Sequence, residues 1–237
     1  PDGAAVLAKA REVAERFGMI RDDWNGFNVL HAAAGRVGGL ELGLVPGEGG
    51  RDVEGILEGA RTGEIEVVYL LGADEIDTRG LENAFVIYQG SHGDAGARVA
   101  DVILPGAAYT EKAATWINLE GRPQRSKLTT FPPGEAKEDW RILRALSQVL
   151  GQTLPYDTPA QLRRRIVEPA PHLGRIDRIE PAPWAAFGDA GRLDDAPFTS
   201  PIPDFYRTCP ISRASAVMEA CVEEIRGQQL KATGSDD

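Results

Sequence analysis

Glu66-Val67-Val68-Tyr69-Leu70-Leu71, Phe85-Val86-Ile87-Tyr88 and Val102-Ile103-Leu104 are the three stretches on which the fold of this chain turns. Each is a short, nearly continuous apolar run bounded by glycine or proline: Gly63 and Gly72 flank the first, Gly90 follows the second and Pro105 the third. Runs of this length without polar alternation read as strands of a parallel sheet covered by helices. Helical patterns lead into them. Ala4–Phe17 places Val6, Leu7, Ala10, Val13, Ala14 and Phe17 on one face. Asn28–Val37 reads as a second helix ended by Gly38-Gly39, and Asp52–Ala60 as a third closed by Gly63. Helices alternating with apolar strands predict an α/β architecture, part of an open, doubly wound domain. Three strands are too few to complete such a sheet, so more are expected upstream of Pro1.

Working outward, residues 105–134 are polar and interrupted by Pro105, Gly106, Gly121, Pro123, Pro132, Pro133 and Gly134, which predicts loops. Glu138–Leu150 is an amphipathic helix with Gly151 as its stop. Thr158 is placed as an N-cap, with Pro159 at the first helical position of a helix through Ala160–Val167. Ten of the sixteen prolines fall between Pro155 and Pro210. Residues 168–203 lack periodicity yet keep Trp184, Phe187, Leu193, Phe198 and Ile202, more anchors than a disordered tail usually carries. An extended arm ordered by its contacts is expected there, with Trp184, Phe187 and Phe198 buried against this domain or a partner. Ile211–Ile225 forms a last amphipathic helix, with Cys209 as N-cap, and Lys231–Asp237 a solvated tail. The expected division is therefore an α/β unit over 1–151, a proline-rich arm with one short helix over 152–209, and a helix and tail over 210–237.

Composition narrows the function. Twenty-six basic and 36 acidic side chains give a net charge of −10, with 42% hydrophobic residues and 26% charged. An acidic chain does not bind a phosphate backbone generally, so nucleic acid is not an expected partner. No apolar stretch approaches the roughly 20 residues of a membrane span. No leader peptide is read, and since Pro1 is no translation start, a fragment or processed chain is expected. Cys209 and Cys221 make no disulfide framework and fall short of the four thiolates of an iron–sulfur cluster. His31, His92 and His172 lack paired zinc-ligand spacing, so no metal is expected in this segment.

Two clusters carry chemically versatile groups. Gln89-Gly90-Ser91-His92-Gly93-Asp94-Ala95-Gly96-Ala97-Arg98 follows a strand and holds three glycines, where backbone can approach a ligand. It is neither a dinucleotide fingerprint nor a P-loop. A tight loop capped by Asp94 is the plainer reading. Histidine as a residue type suits proton transfer, but nothing beside His92 forms a nucleophile or relay. The second cluster is Glu111-Lys112, Asn118-Leu119-Glu120-Gly121-Arg122 and Arg125. Arg122 and Arg125 could clamp phosphate, or the set could form a carboxylate–guanidinium lattice that pins loops. Arg163-Arg164-Arg165 reads as a solvated face or a contact for an acidic partner.

The run Ala100-Asp101-Val102-Ile103-Leu104-Pro105, followed by Glu111-Lys112, Asn118 and Glu120-Gly121-Arg122, resembles the molybdopterin oxidoreductase superfamily. Within it, Tyr88–Arg122, Glu138–Leu146, Leu154–Thr158 and above all Asp204–Ser215 (DFYRTCPISRAS) resemble the large iron–sulfur subunit family of respiratory complex I, the NADH:quinone oxidoreductase, in its alphaproteobacterial and mitochondrial branch. The resemblance runs from about Asp2 to Ile225. It implies a C-terminal portion that supports electron transfer from NADH to quinone without a redox centre or catalytic residue of its own. It further implies 2Fe-2S and 4Fe-4S clusters upstream, other peripheral-arm subunits as partners, and a place on the cytoplasmic or mitochondrial matrix side of the membrane. Gln89, His92, Asp94, Arg98, Glu111, Lys112, Asn118, Glu120 and Arg122 would then line a vestigial cofactor pocket. Ser91, Leu119 and Cys209 depart from the family pattern, which usually has His, Thr and Asp there. The superfamily motif alone would also suit a molybdopterin enzyme acting on formate or a similar small substrate; Asp204–Ser215 argues for complex I.

Overall fold

The computed structural model describes residues 3–200, 202 and 204–233, the side chains of 229–233 apart. Helix α1 (Gly3–Arg16) and a small antiparallel pair, β1 (Ile20–Arg21) with β2 (Trp24–Asn25), lead to α2 (Arg36–Glu41) and α3 (Val53–Thr62). Asp52 caps α3 by accepting a hydrogen bond from the Gly55 N–H at 2.8 Å, and Gly63 ends it in the left-handed conformation. The three apolar runs form β3 (Val67–Leu71), β4 (Phe85–Gly90) and β5 (Val102–Pro105), a parallel sheet in that order. Helix α4 (Ala95–Val99) lies between β4 and β5 in the chain.

Both crossovers advance the same way across the sheet, so the handedness rule for parallel connections puts them on one face. That face holds the core: Ala60, Val68, Leu70, Leu81, Val86 and Tyr88, with Ile56 and Ala97 packed against it. Val67, Leu71 and Phe85 point the other way and remain about half exposed. On that second face the carboxyl end of β4 meets the first residue of α5 (Asp139–Val149), through a 2.9 Å hydrogen bond from Gln89 to Asp139.

Residues 105–134 differ from the loop expectation. Thr115–Ile117 (β6) and Pro123–Arg125 (β7) pair as an antiparallel hairpin, Ile117 opposite Pro123. Three-residue strands are too short for a period-two pattern to stand out. Helix α6 (Pro159–Val167) begins as expected, Thr158 accepting from the Gln161 N–H at 3.2 Å. Its Ile166 joins Val37, Ile117, Ala170 and Leu173 in a second small core.

The expected helix Asn28–Val37 is displaced: residues 28–34 are irregular, and α2 takes in Gly38 and Gly39 instead of stopping at them. Gly38 faces the Ile117 side chain of the hairpin, where a Cβ would lie 3.7 Å away in ordinary van der Waals contact. The closing residue is Gly43, at φ 72°. The single last helix is also corrected. α7 (Pro210–Arg213) and α8 (Ala216–Thr233) are separate, because Ser215 restarts the helix, its Oγ accepting from Met218 N–H at 3.4 Å. Since α8 runs to Thr233, residues 231–233 are helical; residues 234–237 of the expected tail, like Pro1 and Asp2, lie outside the described residues.

The arm has one 3₁₀ turn, Pro171–Gly174, and is otherwise irregular through residue 200. Trp184 and Phe187 meet Phe27 with ring centroids 5.5 and 5.1 Å away, and Trp184 Nε1 donates to Glu15 of α1 at 2.9 Å. Gly188, at φ 72°, lies flat on α1, where a Cβ would come within 2.4 Å of Ala8 N. Phe198 does not bury in this chain: it is 84% exposed.

Candidate functional site

The sheet's carboxyl edge is where open α/β folds place ligands, and here it divides in two. Between the ends of β4 and β5 lies a cavity of about 310 Å³, with Ser91, His92, Glu111 and Glu135 supplying its polar side chains. Gly90, Pro105, Gly106 and Ala108 form the backbone wall. Among the described residues, no lysine or arginine lines it. The two sequence clusters thus meet here through His92 and Glu111. His92 Nδ1 is 3.1 Å from Ser91 Oγ, while its carbonyl accepts from the Tyr88 hydroxyl at 2.7 Å. Burial pushes the Tyr88 phenol up, and the nearby carboxylates of Asp74, Asp94 and Glu75 add to that. Glu111 accepts from the Ala108 N–H at 2.9 Å, which fixes the turn after β5.

The other half, at the ends of β3 and β4, is filled by a group that sequence spacing does not bring into the cluster. Arg213 of α7 donates from Nη2 to Asp74 at 2.8 Å and to Glu75 at 3.0 Å, and from Nε to Asp94. The Asp74 side chain is fully buried. Asp94 is held below the usual carboxylate range chiefly by its hydrogen bond from Arg213, with Arg98 a weaker contributor. Burial alone would lower the Arg213 pKa, but its bonds to Asp94 and Glu75 outweigh that and raise it. The expected cap at Asp94 is corrected: its carboxylate turns to Arg213 instead, and Asp74 accepts from the Gly96 N–H at 3.3 Å. A Cβ on Gly96 would meet the Tyr88 ring at 2.7 Å and Asp74 Cβ at 2.9 Å, so glycine is required for this approach.

The remaining predicted residues serve other contacts. Gln89, fully buried, accepts from the Tyr69 hydroxyl and donates to Asp139, whose second oxygen pairs with Lys112. Asn118 organises the hairpin turn, its Oδ1 accepting from the N–H groups of Glu120 and Arg122, both at 3.0 Å. Arg122 pairs loosely with Glu120 at 3.5 Å and donates to the Asp177 carbonyl at 2.8 Å, tying the arm to the hairpin. Arg165 of the arginine triplet pairs with Glu168. Asp74, Glu75, Asp139 and Arg213 escape sequence reasoning because their partners lie tens of residues away. The available signal is the density of polar residues in Asp204–Ser215.

In the structure that string is a chain of local restraints. Asp204 accepts from the Tyr206 and Arg207 N–H groups at 3.0 and 3.2 Å. Cys209 sits at the N-cap of α7, its N–H bonded to Ser212 Oγ at 3.1 Å, and its side-chain hydrogen bond with Ser212 draws the thiol pKa down. Among the described residues, no group of three or more His, Cys, Asp or Glu side chains is placed to hold a metal ion.

Residues 1–149 match the family model of molybdopterin oxidoreductases, and residues 178–221 match the model of the C-terminal part of the G subunit of NADH-ubiquinone oxidoreductase. The chain is similar to the mitochondrial NADH-ubiquinone oxidoreductase 78 kDa subunit of Candida albicans, 44% identical over 93% of this chain and 31% of that one. It is 41% identical to the 75 kDa subunit of Reclinomonas americana over 93% of this chain and 32% of that one. To the 78 kDa subunit of Neurospora crassa it is 44% identical over 86% and 27%. The chain thus spans about a third of the length of these relatives. Among solved structures, acetylene hydratase from Pelobacter acetylenicus aligns over 70% of this chain and 24% of its own, with a TM-score of 0.42 at 18% identity.

Proposed function

The chain belongs to the molybdopterin oxidoreductase family, and from that premise we propose that it is the structural, subunit-docking portion of the large iron–sulfur subunit of NADH:quinone oxidoreductase. The reading rests above all on one juxtaposition: a molybdopterin-type unit followed in the same chain by the C-terminal segment typical of that large subunit. In this role the segment supports electron transfer from NADH to quinone by holding cluster-bearing parts in place, and itself moves no electrons. The 2Fe-2S and 4Fe-4S clusters belong to upstream parts of the subunit. Its partners are other peripheral-arm subunits, on the matrix or bacterial cytoplasmic side. No helix among the described residues is long and apolar enough to cross a membrane.

The group that the family name implies, a phosphate-bearing pterin, does not fit the carboxyl edge described here. Glu111 and Glu135 face the cavity with no compensating cation among the described residues of its lining, and the adjacent half presents three carboxylates around Arg213. A phosphate placed there would meet like charge in a partly desolvated setting. The candidate pocket residues therefore act as packing and loop-fixing groups. The same donor chemistry argues against the formate-dehydrogenase reading.

The test is to delete residues 178–225 from the full-length subunit. Assembly of the complex should fail on native gels, while the upstream clusters keep their electron paramagnetic resonance signals. Metal analysis of the intact subunit should find no molybdenum in stoichiometric amount. An assembled, quinone-reducing complex without the segment, or one tightly bound molybdenum per chain, overturns the proposal.

A further inference from the structure

We propose that Cys209–Ser215 is a strap whose Arg213 occupies, in cis, a guanidinium receptor built from Asp74, Glu75 and Asp94 at the ends of β3 and β4. The inference goes beyond membership of any complex, since it concerns only how this chain closes its own sheet edge.

Three observations carry it. First, the receptor is built into the α/β unit: Asp74 is fully buried, bonds the Gly96 N–H at 3.3 Å, and sits where Gly96 leaves it room against Tyr88. Second, the occupant comes from 119 residues or more downstream and reaches all three carboxylates with one guanidinium. A planar fork with donors on separate nitrogens is what lets a single side chain do this; a lysine would supply one point charge. Third, the strap is braced to present that fork. Cys209 and Ser212 fix the first turn, and Arg207 Nη2 reaches the Arg213 carbonyl at 3.5 Å while its Nη1 pairs with Glu219 at 3.6 Å.

Three carboxylates face one guanidinium, so the receptor keeps a surplus of negative charge with the strap in place. With the strap lifted, the half-edge would attract a guanidinium or an alkylammonium group and repel a phosphate. The strap thus works as a closure: it offsets part of the edge's negative charge and ties α7, and through the Arg207–Glu219 pair α8, to the α/β unit. Removing the cation leaves a buried carboxylate unpaired, which is the costly half of such an interaction.

Hydrogen exchange on the full-length protein tests this, reading the Gly96 and Ala97 amides on the receptor side and the α8 amides from Glu219 to Gly227 on the strap side. Arg213→Ala should speed exchange on both sides by about tenfold or more. Low-millimolar guanidinium chloride, far below denaturing concentrations, should then restore protection at Gly96 and Ala97 and leave α8 fast, because the free cation fills the receptor without tethering the helix. Sodium chloride at equal concentration should restore neither. Unchanged exchange in Arg213→Ala overturns the strap, and equal effects of the two salts overturn the guanidinium receptor. Should Arg213→Ala yield no folded protein, Asp94→Asn removes one carboxylate and should show the two-sided loss at smaller amplitude; wild-type protection there overturns the proposal equally.

Discussion

Tyr88 and Trp184 are both large aromatic side chains with one hydrogen bond each, yet they hold their regions by different means. Tyr88 is 1% exposed, in the contiguous core under the parallel sheet. Trp184 stays half-buried, held by ring edges from Phe27 and Phe187 and by Glu15 on α1. The sheet unit is stabilised by apolar area pooled over many neighbours, so its parts fail together. The arm and the C-terminal helices hang on separate pins, Arg122 to Asp177, Trp184 to Glu15 and Arg213 to the acidic receptor, so each pin can fail alone. Cooperative cores and locally opening segments normally coexist in this way.

The contrast can be broken most forcefully at Tyr88. Tyr88→Ala should cost about 3–5 kcal/mol and unfold the sheet unit as a whole, seen as one shifted denaturation transition. A loss confined to the loop after β4 would show that the core is not cooperative. Next comes the arm. Gly188→Val introduces a branched side chain at φ 72° and into Ala8, at a cost of about 1–3 kcal/mol, and the arm should detach while the sheet transition stays put. Limited proteolysis between residues 175 and 200 should accelerate; an unchanged cleavage rate contradicts the docking. A third expectation concerns acid. The folded Asp94 pKa is depressed, so its contribution is complete above the ordinary aspartate range and is lost as pH falls through the lower folded value. Protection of α8 should therefore decline in that acid window before the sheet melts, and simultaneous loss would erase the distinction between the regions. The smallest effect runs the other way. Cys209→Asp supplies a better acceptor at the α7 N-cap and should stabilise the strap by about 1 kcal/mol or less, read as slower exchange from Ile211 to Met218.

Legibility in the sequence follows the same divide. Val67–Leu71, Phe85–Gly90 and Val102–Pro105 are readable because continuous apolar runs report burial locally, and Asp52 and Thr158 because a cap acts within one turn. α2 is misplaced by its sequence because Gly38 and Gly39 look like terminators, whereas the structure carries the helix through both and turns at Gly43, φ 72°. The hairpin at Thr115–Arg125 is hidden by the brevity of its strands. Of the candidate site residues, His92 and Glu111 share a cavity, which their spacing does not reveal, while Asn118, Glu120 and Arg122 serve a turn and an arm contact. Arg213 cannot be deduced as the partner of Asp74, because nothing across their sequence separation of 139 records which guanidinium closes a given carboxylate pair.

The packing of the arm on α1 has a consequence for synthesis. Arg11 donates to the carbonyl of Phe187, 176 residues later, and Trp184 reaches Glu15 across 169. At translation speeds of about 5–20 residues per second, α1 therefore waits roughly 9–35 s for its cover to be made. Throughout that interval the face presenting Ala4 and Ala8 lacks the Gly188 backbone that lies against it in the finished chain. A nascent chain of this kind offers a chaperone, or a neighbouring nascent chain, a bare helix long before the native clasp can compete for it.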